Sequence, residues 1–193
     1  MTGERELIES SIRGDAEARK ALYCRHVRYL SAVCSRYIAS DADVKDVLQE
    51  AFIKIFLSIE RFKWRGEGSL RSWMCRIVVN ESLKFLRDGR RQDIFVTAAE
   101  PPDVPDDEEW GEWTDVGNIP PEVIHLMIRE LPDGYRTVFN LFALEGRSHR
   151  EIAGLLGISE ASSASQFHRA KKILAGRIRK YAAENADSWR SKC

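Results

Sequence analysis

The side chains with the clearest chemical potential in this sequence are cations and hydrogen-bonding groups set at helical intervals. Arg76, Asn80, Lys84 and Arg87 recur at i, i+4, i+8 and i+11, which puts them on one stripe of a helix. An asparagine amide can hydrogen-bond a base edge, and the flanking cations can track phosphates. An ordinary solvated helix face has the same composition. A second set lies near the C-terminus: Ser162, Ser165, His168, Arg169 and Lys172. Its short hydroxyls allow close approach to bases or phosphates, and Arg169 and Lys172 can neutralise phosphate charge. A third set, Asp46, Gln49 and Glu50, is acidic. DNA would be repelled there, so the patch suits a protein partner with basic residues, or is surface charge alone.

Catalytic chemistry has no visible carrier. No paired carboxylates, nucleophile–base constellation or glycine-rich phosphate cradle is present, so no catalytic residue, cofactor or metal is expected. Cysteines occur at 24, 34, 75 and 193, without C-x-x-C or zinc-like Cys/His spacing. They are expected to be reduced thiols, the first three half-buried in helices and Cys193 exposed. The first residues, MTGERELIESS, lack the apolar stretch of a secretory signal, and no run approaches the ~18 apolar residues of a membrane span. A soluble, cytoplasmic chain without membrane insertion is expected.

Net charge is zero over 193 residues, yet its distribution is uneven. Residues 1–91 carry 18 Lys+Arg against 13 Asp+Glu; residues 92–122 carry none against 10; residues 123–193 carry 12 against 7. Two basic modules flank an acidic strap. The strap, AAEPPDVPDDEEWGEWTDVGNIPPE, has five prolines and no apolar periodicity, so it is expected to be a loosely held linker. Its Trp110 and Trp113 suit either a local turn or packing on a module or partner. The fold expected is all-α: two small helical domains, 1–91 and 123–193, joined by a flexible acidic linker at 92–122, the second domain with a helix-turn-helix.

Helices must position these sets. One or two are expected over 15–40. In DADVKDVLQEAFIKIFLSIERF, Val44, Val47, Leu48, Ala51, Phe52, Ile55, Phe56 and Ile59 form an apolar stripe, with Asp41 or Asp43 as N-cap. After the glycine-bearing loop KWRGEGS comes SLRSWMCRIVVNESLKFLRDGRR. Ser69 or Ser72 is its expected cap, and Leu70, Trp73, Ile77, Leu83 and Leu86 mark most of its buried stripe. Beyond the strap, helices are expected over 122–130 and 135–144.

The final motif is the most specific. Ser148 and Glu151 fit a capping box. Ile152, Leu155 and Leu156 are expected to face inward, Gly157 to take the left-handed C-terminal position, Ile158 to plug the turn and Ser159 to cap a second helix over 160–175. Such a helix-turn-helix directs its second helix into a DNA major groove; a plain helical hairpin with a basic face would show the same pattern.

Together, DVLQEAFIKIF, SLRSWMCRIVVNESLKFLRDGRR and LPDGYRTVFNLFALEGRSHREIAGLLGISEASSASQFHRAKKIL resemble, in that order, the extracytoplasmic-function (ECF) group of sigma-70 RNA polymerase sigma factors. The resemblance covers about three-quarters of the chain. It implies core RNA polymerase and promoter DNA as partners, an anti-sigma factor as a regulator, and no enzymatic activity of the chain's own. It matches Asp46, Gln49 and Glu50, with Phe52 nearby, to polymerase-clamp contacts. Asn80 and Lys84 match positions facing the −10 element. Residues 64–69, from Trp64 to Ser69, match the loop that captures a base flipped from the melted strand. Ser162, Ser165, His168 and Arg169 match −35-facing positions. There are departures: Ala164 and Gln166 stand where the family often has Lys or Arg, Ser163 where an apolar residue is common, and Lys84 in place of a frequent Asn. The resemblance also gives the strap a task. The two promoter elements lie roughly 50–70 Å apart. A relaxed coil of 31 residues spans about 30 Å and an extended one about 100 Å, and like charges favour extension. Its acids would mimic phosphates in polymerase channels, or mask the basic modules in the free chain. Two rivals explain part of the pattern: a helix-turn-helix regulator acting without polymerase, and a helical adaptor binding only proteins.

Overall fold

The computed structural model describes residues 3–88 and 119–190, the last five as backbone. The chain divides into two compact units, Met1–Gly89 and Arg90–Cys193. All regular structure among the described residues is helical. Most of the strap, with Trp110, Trp113 and the acids of 93–115, lies outside the described residues, as does Cys193.

Unit 1 contains four α-helices. Helix α1 (Glu4–Ile12) was not foreseen from the polar N-terminus; it buries Leu7, Ile8 and Ser11. Gly14, at φ +88°, turns the chain, and Asp15 then caps α2 (Ala16–Cys34) by accepting from the Glu17 and Ala18 N–H groups at 2.9 and 3.3 Å. Helix α3 (Asp41–Ser58) is capped by Ser40 rather than by Asp41 or Asp43, which occupy its first turn and complement the positive helix end. A 3-10 turn (Ile59–Arg61) and a loop lead to α4 (Ser69–Asp88).

Helices α2, α3 and α4 pack mutually, and α1 lies on α2. Leu22, Leu30, Ile55, Ile59, Leu70, Met74 and Leu86 are fully enclosed. Burying each large apolar side chain contributes roughly 1.5–3 kcal/mol, which is what draws the amphipathic helices together. The α4 stripe differs in detail from the expected one. Leu70, Leu83 and Leu86 are buried as expected, but Met74, Val78 and Val79 complete the core while Trp73 and Ile77 are half-buried. Polar pairs fix the packing. Lys54 donates to Glu81 at 2.6 Å between α3 and α4, and His26 Nε2 lies 3.3 Å from Glu4 between α2 and α1. Of the thiols, Cys34 is buried beside Ser82, Cys75 is half-buried and Cys24 is exposed.

Unit 2 is built on one long helix. Helix α5 (Pro121–Arg129) begins with proline at its first position, where no N–H is needed. Helix α6 (Asp133–Phe139) starts two residues before the expected boundary and passes into a π-helical turn (Asn140–Leu144). Helices α7 (His149–Leu156) and α8 (Glu160–Arg190) follow. Helix α8 runs well past the expected 175, because Leu174, Ile178 and Tyr181 pack against the α5–α6 corner. Ile119, Met127, Leu131, Tyr135 and Ala170 complete that core. The corner is tied by two arginines. Arg136, 3% exposed, donates to the Arg129 and Leu131 carbonyls at 2.7 and 3.1 Å and to Asp133; Arg177 reaches the Met127 carbonyl at 2.6 Å. Both supply donors to carbonyls that the end of α5 leaves unpaired.

Candidate nucleic-acid and polymerase interfaces

The first surface lies on α4 and the loop before it. Arg76, Asn80, Lys84 and Arg87 are all exposed on one stripe. At its N-terminal end the stripe runs into a cavity lined by Arg61, Phe62, Lys63, Arg65, Ser69, Ser72, Trp73 and Arg76. The preceding loop is held by Ser69, whose hydroxyl accepts from the Arg65 N–H at 3.3 Å and donates to the Gly66 carbonyl at 2.6 Å. Ser72 donates to the Gly68 carbonyl at 3.1 Å. Neither serine therefore caps α4 as expected; both shape the loop. Gly66 and Gly68, at φ +108° and +78°, allow its turn. Phe62 and Trp73 meet at 5.3 Å between ring centroids and form the aromatic wall. Trp64 is half-buried and does not line the cavity. From the sequence, Arg61, Phe62 and Lys63 carry no assignment, Arg65 enters only as part of the 64–69 loop and Trp73 is placed in the buried stripe; the signal for the cations is their density around KWRGEGS. Four cations, two hydroxyls and two rings at a helix N-terminus suit a phosphate with an attached base.

The second surface lies on α3. Asp46, Gln49 and Glu50 are exposed together, as their spacing predicts. Phe52 does not join them: it is 4% exposed and packs on Tyr23 at 4.6 Å and Phe56 at 6.0 Å. The face instead continues along the helix to Ile53 and Leu57, the latter 78% exposed. Asp46 and Glu50 also line a groove with Glu81, Asp88 and Lys84. Lys84 thus shares this groove with four carboxylates, of which Glu81 is bonded to Lys54.

The third surface is the helix-turn-helix. Ser148 accepts from the Glu151 N–H at 3.3 Å, and Glu151 accepts from the Ser148 N–H at 2.9 Å, closing the capping box. The Ser148 N–H, the Ser148 hydroxyl, which donates to the same carboxylate at 2.9 Å, and the Arg147 guanidinium hold the Glu151 carboxyl below the usual carboxylate range. Gly157 is left-handed at φ +69°, and Ser159 caps α8 through the Ser162 N–H at 3.0 Å. Ile152 is buried, but Leu155, expected inside, is 37% exposed. Ser165 and His168 are exposed on α8; Ser162, Arg169 and Lys172 are half-buried. Ser162 accepts from Ser159 Oγ at 2.8 Å, and Arg169 donates to the Tyr135 hydroxyl at 3.3 Å. Ser163 and Gln166 face inward. Gln166 therefore removes no cation from the outer face. Ser163 hydrogen-bonds His149 Nδ1 at 2.9 Å, so a polar contact joins α7 to α8 where an apolar one would ordinarily sit. His149 also stacks on Phe142, ring centroids 4.5 Å apart.

Among the described residues no cluster of His, Cys, Asp and Glu could hold a metal, and no helix is long and apolar enough to cross a membrane. Sequence comparisons agree with the geometry. The family model described as Sigma-70 region 2 matches residues 22–92, and the one described as Sigma-70, region 4 matches 122–174. The chain is 31% identical over 182 residues to an ECF RNA polymerase sigma-E factor of Haemophilus influenzae, covering 91% of this chain and 95% of that protein. It is 30% identical over 186 residues to the ECF RNA polymerase sigma-E factor of Escherichia coli strain K12, covering 89% and 92%. A solved structure described as CnrH in complex with the cytosolic domain of CnrY aligns at 23% identity and a TM-score of 0.46, covering 92% of this chain and 97% of that one. With both sigma regions matched in order, and near full-length likeness to two sigma-E factors, this chain belongs to the extracytoplasmic-function family of sigma-70 RNA polymerase sigma factors, which direct transcription initiation.

Proposed function

We propose that the chain acts in the cytoplasm as a non-enzymatic polymerase subunit and divides its task among the three surfaces. The observation that carries this reading is the α4 cation–asparagine stripe running into a cationic, aromatic-walled cavity. Arg76, Asn80, Lys84 and Arg87 read the −10 element. The cavity takes an unstacked base against Phe62 and Trp73 while Arg61, Lys63 and Arg65 hold its phosphates. Trp64 supports the loop rather than touching the base. Stacking on aromatic rings offsets part of the cost of unpairing, which is how a subunit without a nucleotide-driven motor can hold DNA open.

Asp46, Gln49 and Glu50 contact core polymerase, and Phe52 acts only by supporting α3 from within. Ser165 and His168 are the most accessible residues facing the −35 element. Ser162, Arg169 and Lys172 complete that surface, with Arg169 shared between DNA and Tyr135. The acidic strap spans between the elements and competes with nucleic acid for polymerase channels. An anti-sigma factor that covers these surfaces belongs to the same reading, as family membership implies. The test is transcription in vitro with purified core polymerase, followed by mapping of RNA 5′ ends. New, discrete start sites are expected. Promoter binding without polymerase association would favour the independent regulator, and association without redirected initiation would refute the proposal.

A further inference from the structure

The two ends of α8 are held by different forces. From Ala170 onward the helix is anchored by apolar side chains: Ala170, Leu174 and Ile178 are buried in the core of unit 2. Over 160–169 the buried residues are Ser163 and Gln166, and both are polar. Apolar burial is non-directional and tolerates sliding. A hydrogen bond weakens steeply once its angle departs from linear. The orientation of the promoter-facing turns therefore depends on directional contacts at this inner side.

His149, the first residue of α7, supplies one of them. Its Nδ1 and the hydroxyl of the fully buried Ser163 share a hydrogen bond of 2.9 Å. The imidazole is itself fixed. It lies 18° from parallel to the Phe142 ring at 4.5 Å between centroids, and Phe142 belongs to the π-helical turn Asn140–Leu144. Such wide turns are rare and often lie at functional positions. The same imidazole meets Phe167 at 5.9 Å, Phe142 meets Phe167 at 4.4 Å, and Lys171 Nζ stands 5.7 Å from the Phe167 centroid. His149 thus touches α8 at Ser163 and again at Phe167, one turn on. Contacts at i and i+4 fix both the height of a helix and its rotation about its own axis. Outward side chains end about 5–6 Å from a helix axis, so a rotation of about 10° moves them by about 1 Å. That shift takes a hydroxyl out of hydrogen-bonding range of a base edge. Ser165 and His168, exposed on the other side of the same turns, move with any such rotation.

We propose that His149, acting through Ser163, is a positioning residue for −35 recognition: it sets the rotation of the first turns of α8, and with it the discrimination among −35 base pairs, without touching DNA. The inference rests on the function proposed above and deepens its third surface.

The test uses holoenzyme assembled from core polymerase and the full chain, with duplex promoter DNA from a mapped start site. Affinity is measured for the intact promoter, for single base-pair substitutions in its −35 element and for a scrambled −35 element, each at several salt concentrations. For the wild type, replacing a recognised base pair should cost roughly fivefold or more in affinity. His149→Phe keeps the stack on Phe142 and loses the bond; Ser163→Ala loses the bond from the other side. Each should shrink that penalty to about twofold, and the two together should shrink it no further. Affinity for the scrambled element should stay within about twofold of wild type, with the salt slope unchanged. His149→Asn, whose amide reaches the place of Nδ1, should return the penalty to at least about threefold. Urea unfolding is followed in parallel, and Ser163→Ala, which removes only a hydroxyl, carries the test should His149→Phe unfold unit 2. A penalty that survives in the folded variants, whether or not their stability falls, overturns the proposal, as does absence of rescue by His149→Asn. Uniform weakening on intact and scrambled DNA, with a shallower salt slope, would place His149 on a phosphate and also overturn it. Failure of the function proposed above shows separately: wild-type holoenzyme would then not distinguish the intact from the scrambled −35 element.

Discussion

Replacing Arg136 by methionine tests how unit 2 holds its reading head. Methionine keeps the unbranched stem and removes the guanidinium. Three hydrogen bonds disappear: to the Arg129 carbonyl at 2.7 Å, to the Leu131 carbonyl at 3.1 Å and to the Asp133 carboxylate. Orphaned buried carbonyls cost roughly 1–3 kcal/mol each, so two cost about 2–6, and the lost Asp133 contact adds to this. The independent rule for removing one member of a buried ion pair gives about 3–5 kcal/mol. Both routes point to about 3–5 kcal/mol. A helical unit of this size has a stability of roughly 4–10 kcal/mol, so most of it would be lost. Arg147→Met removes an exposed i,i+4 pair with Glu151 and should cost no more than about 0.5 kcal/mol. Urea denaturation followed by calorimetry of the full chain would resolve the two units. The Arg136→Met transition assigned to unit 2 should shift steeply while that of unit 1 stays put. If Arg136→Met costs no more than Arg147→Met, the corner is not held by this guanidinium.

Further consequences are testable in the same chain. Phe52→Ala should destabilise unit 1 by about 3–5 kcal/mol through the cavity it leaves, whereas Asp46→Asn with Glu50→Gln should leave stability unchanged and weaken polymerase binding at low salt. Asn80→Ala should lower initiation about tenfold at promoters with an intact −10 element, and Ser165→Ala with His168→Ala should act only where a −35 element is present, both read by start-site yield on scrambled templates. Burial lowers the pKa of His26 despite the nearby Glu4 carboxylate, so the native state prefers the neutral ring. That preference is fully felt above the unfolded value near 6.5 and is lost as pH falls, so the urea midpoint of unit 1 should drop between about pH 7 and 5, less steeply in His26→Leu. His149→Phe should keep the stack on Phe142 yet lose the Ser163 bond. A double-mutant cycle with Ser163→Ala should return a coupling of about 1 kcal/mol.

What the sequence disclosed was mostly local. The Ser148–Glu151 box, the left-handed Gly157 and the α3 stripe depend on residues within four positions of one another, and spacing reveals them. The missing parts depend on distant neighbours. Phe52 lies on the apolar side of its helix, but only Tyr23 on α2 decides that it is enclosed. Trp73 was assigned to the core, yet the loop that packs Phe62 against it turns it into the wall of a cavity. Gln166, a polar residue on a helix that reads as a DNA surface, faces inward because α8 must also pack on α6 and α7. The length of α8 was hidden because its later turns are polar, and their stability comes from contacts with α5 rather than from periodicity. The choice of Ser40 over Asp41 as cap shows the usual slippage of a helix boundary by a residue or so.

The 31 residues of α8 form a rod of about 46 Å. In the function proposed above its first turns address the promoter, while its middle packs in the core of the unit that presents them. Such a rod cannot pivot at one end while standing still at the other. Anything that tilts the distal turns, whether a bound regulator or pressure from a neighbouring polymerase segment, is transmitted as an angular error where bases are examined. Promoter choice in this unit is thus exposed to leverage from residues that never approach DNA.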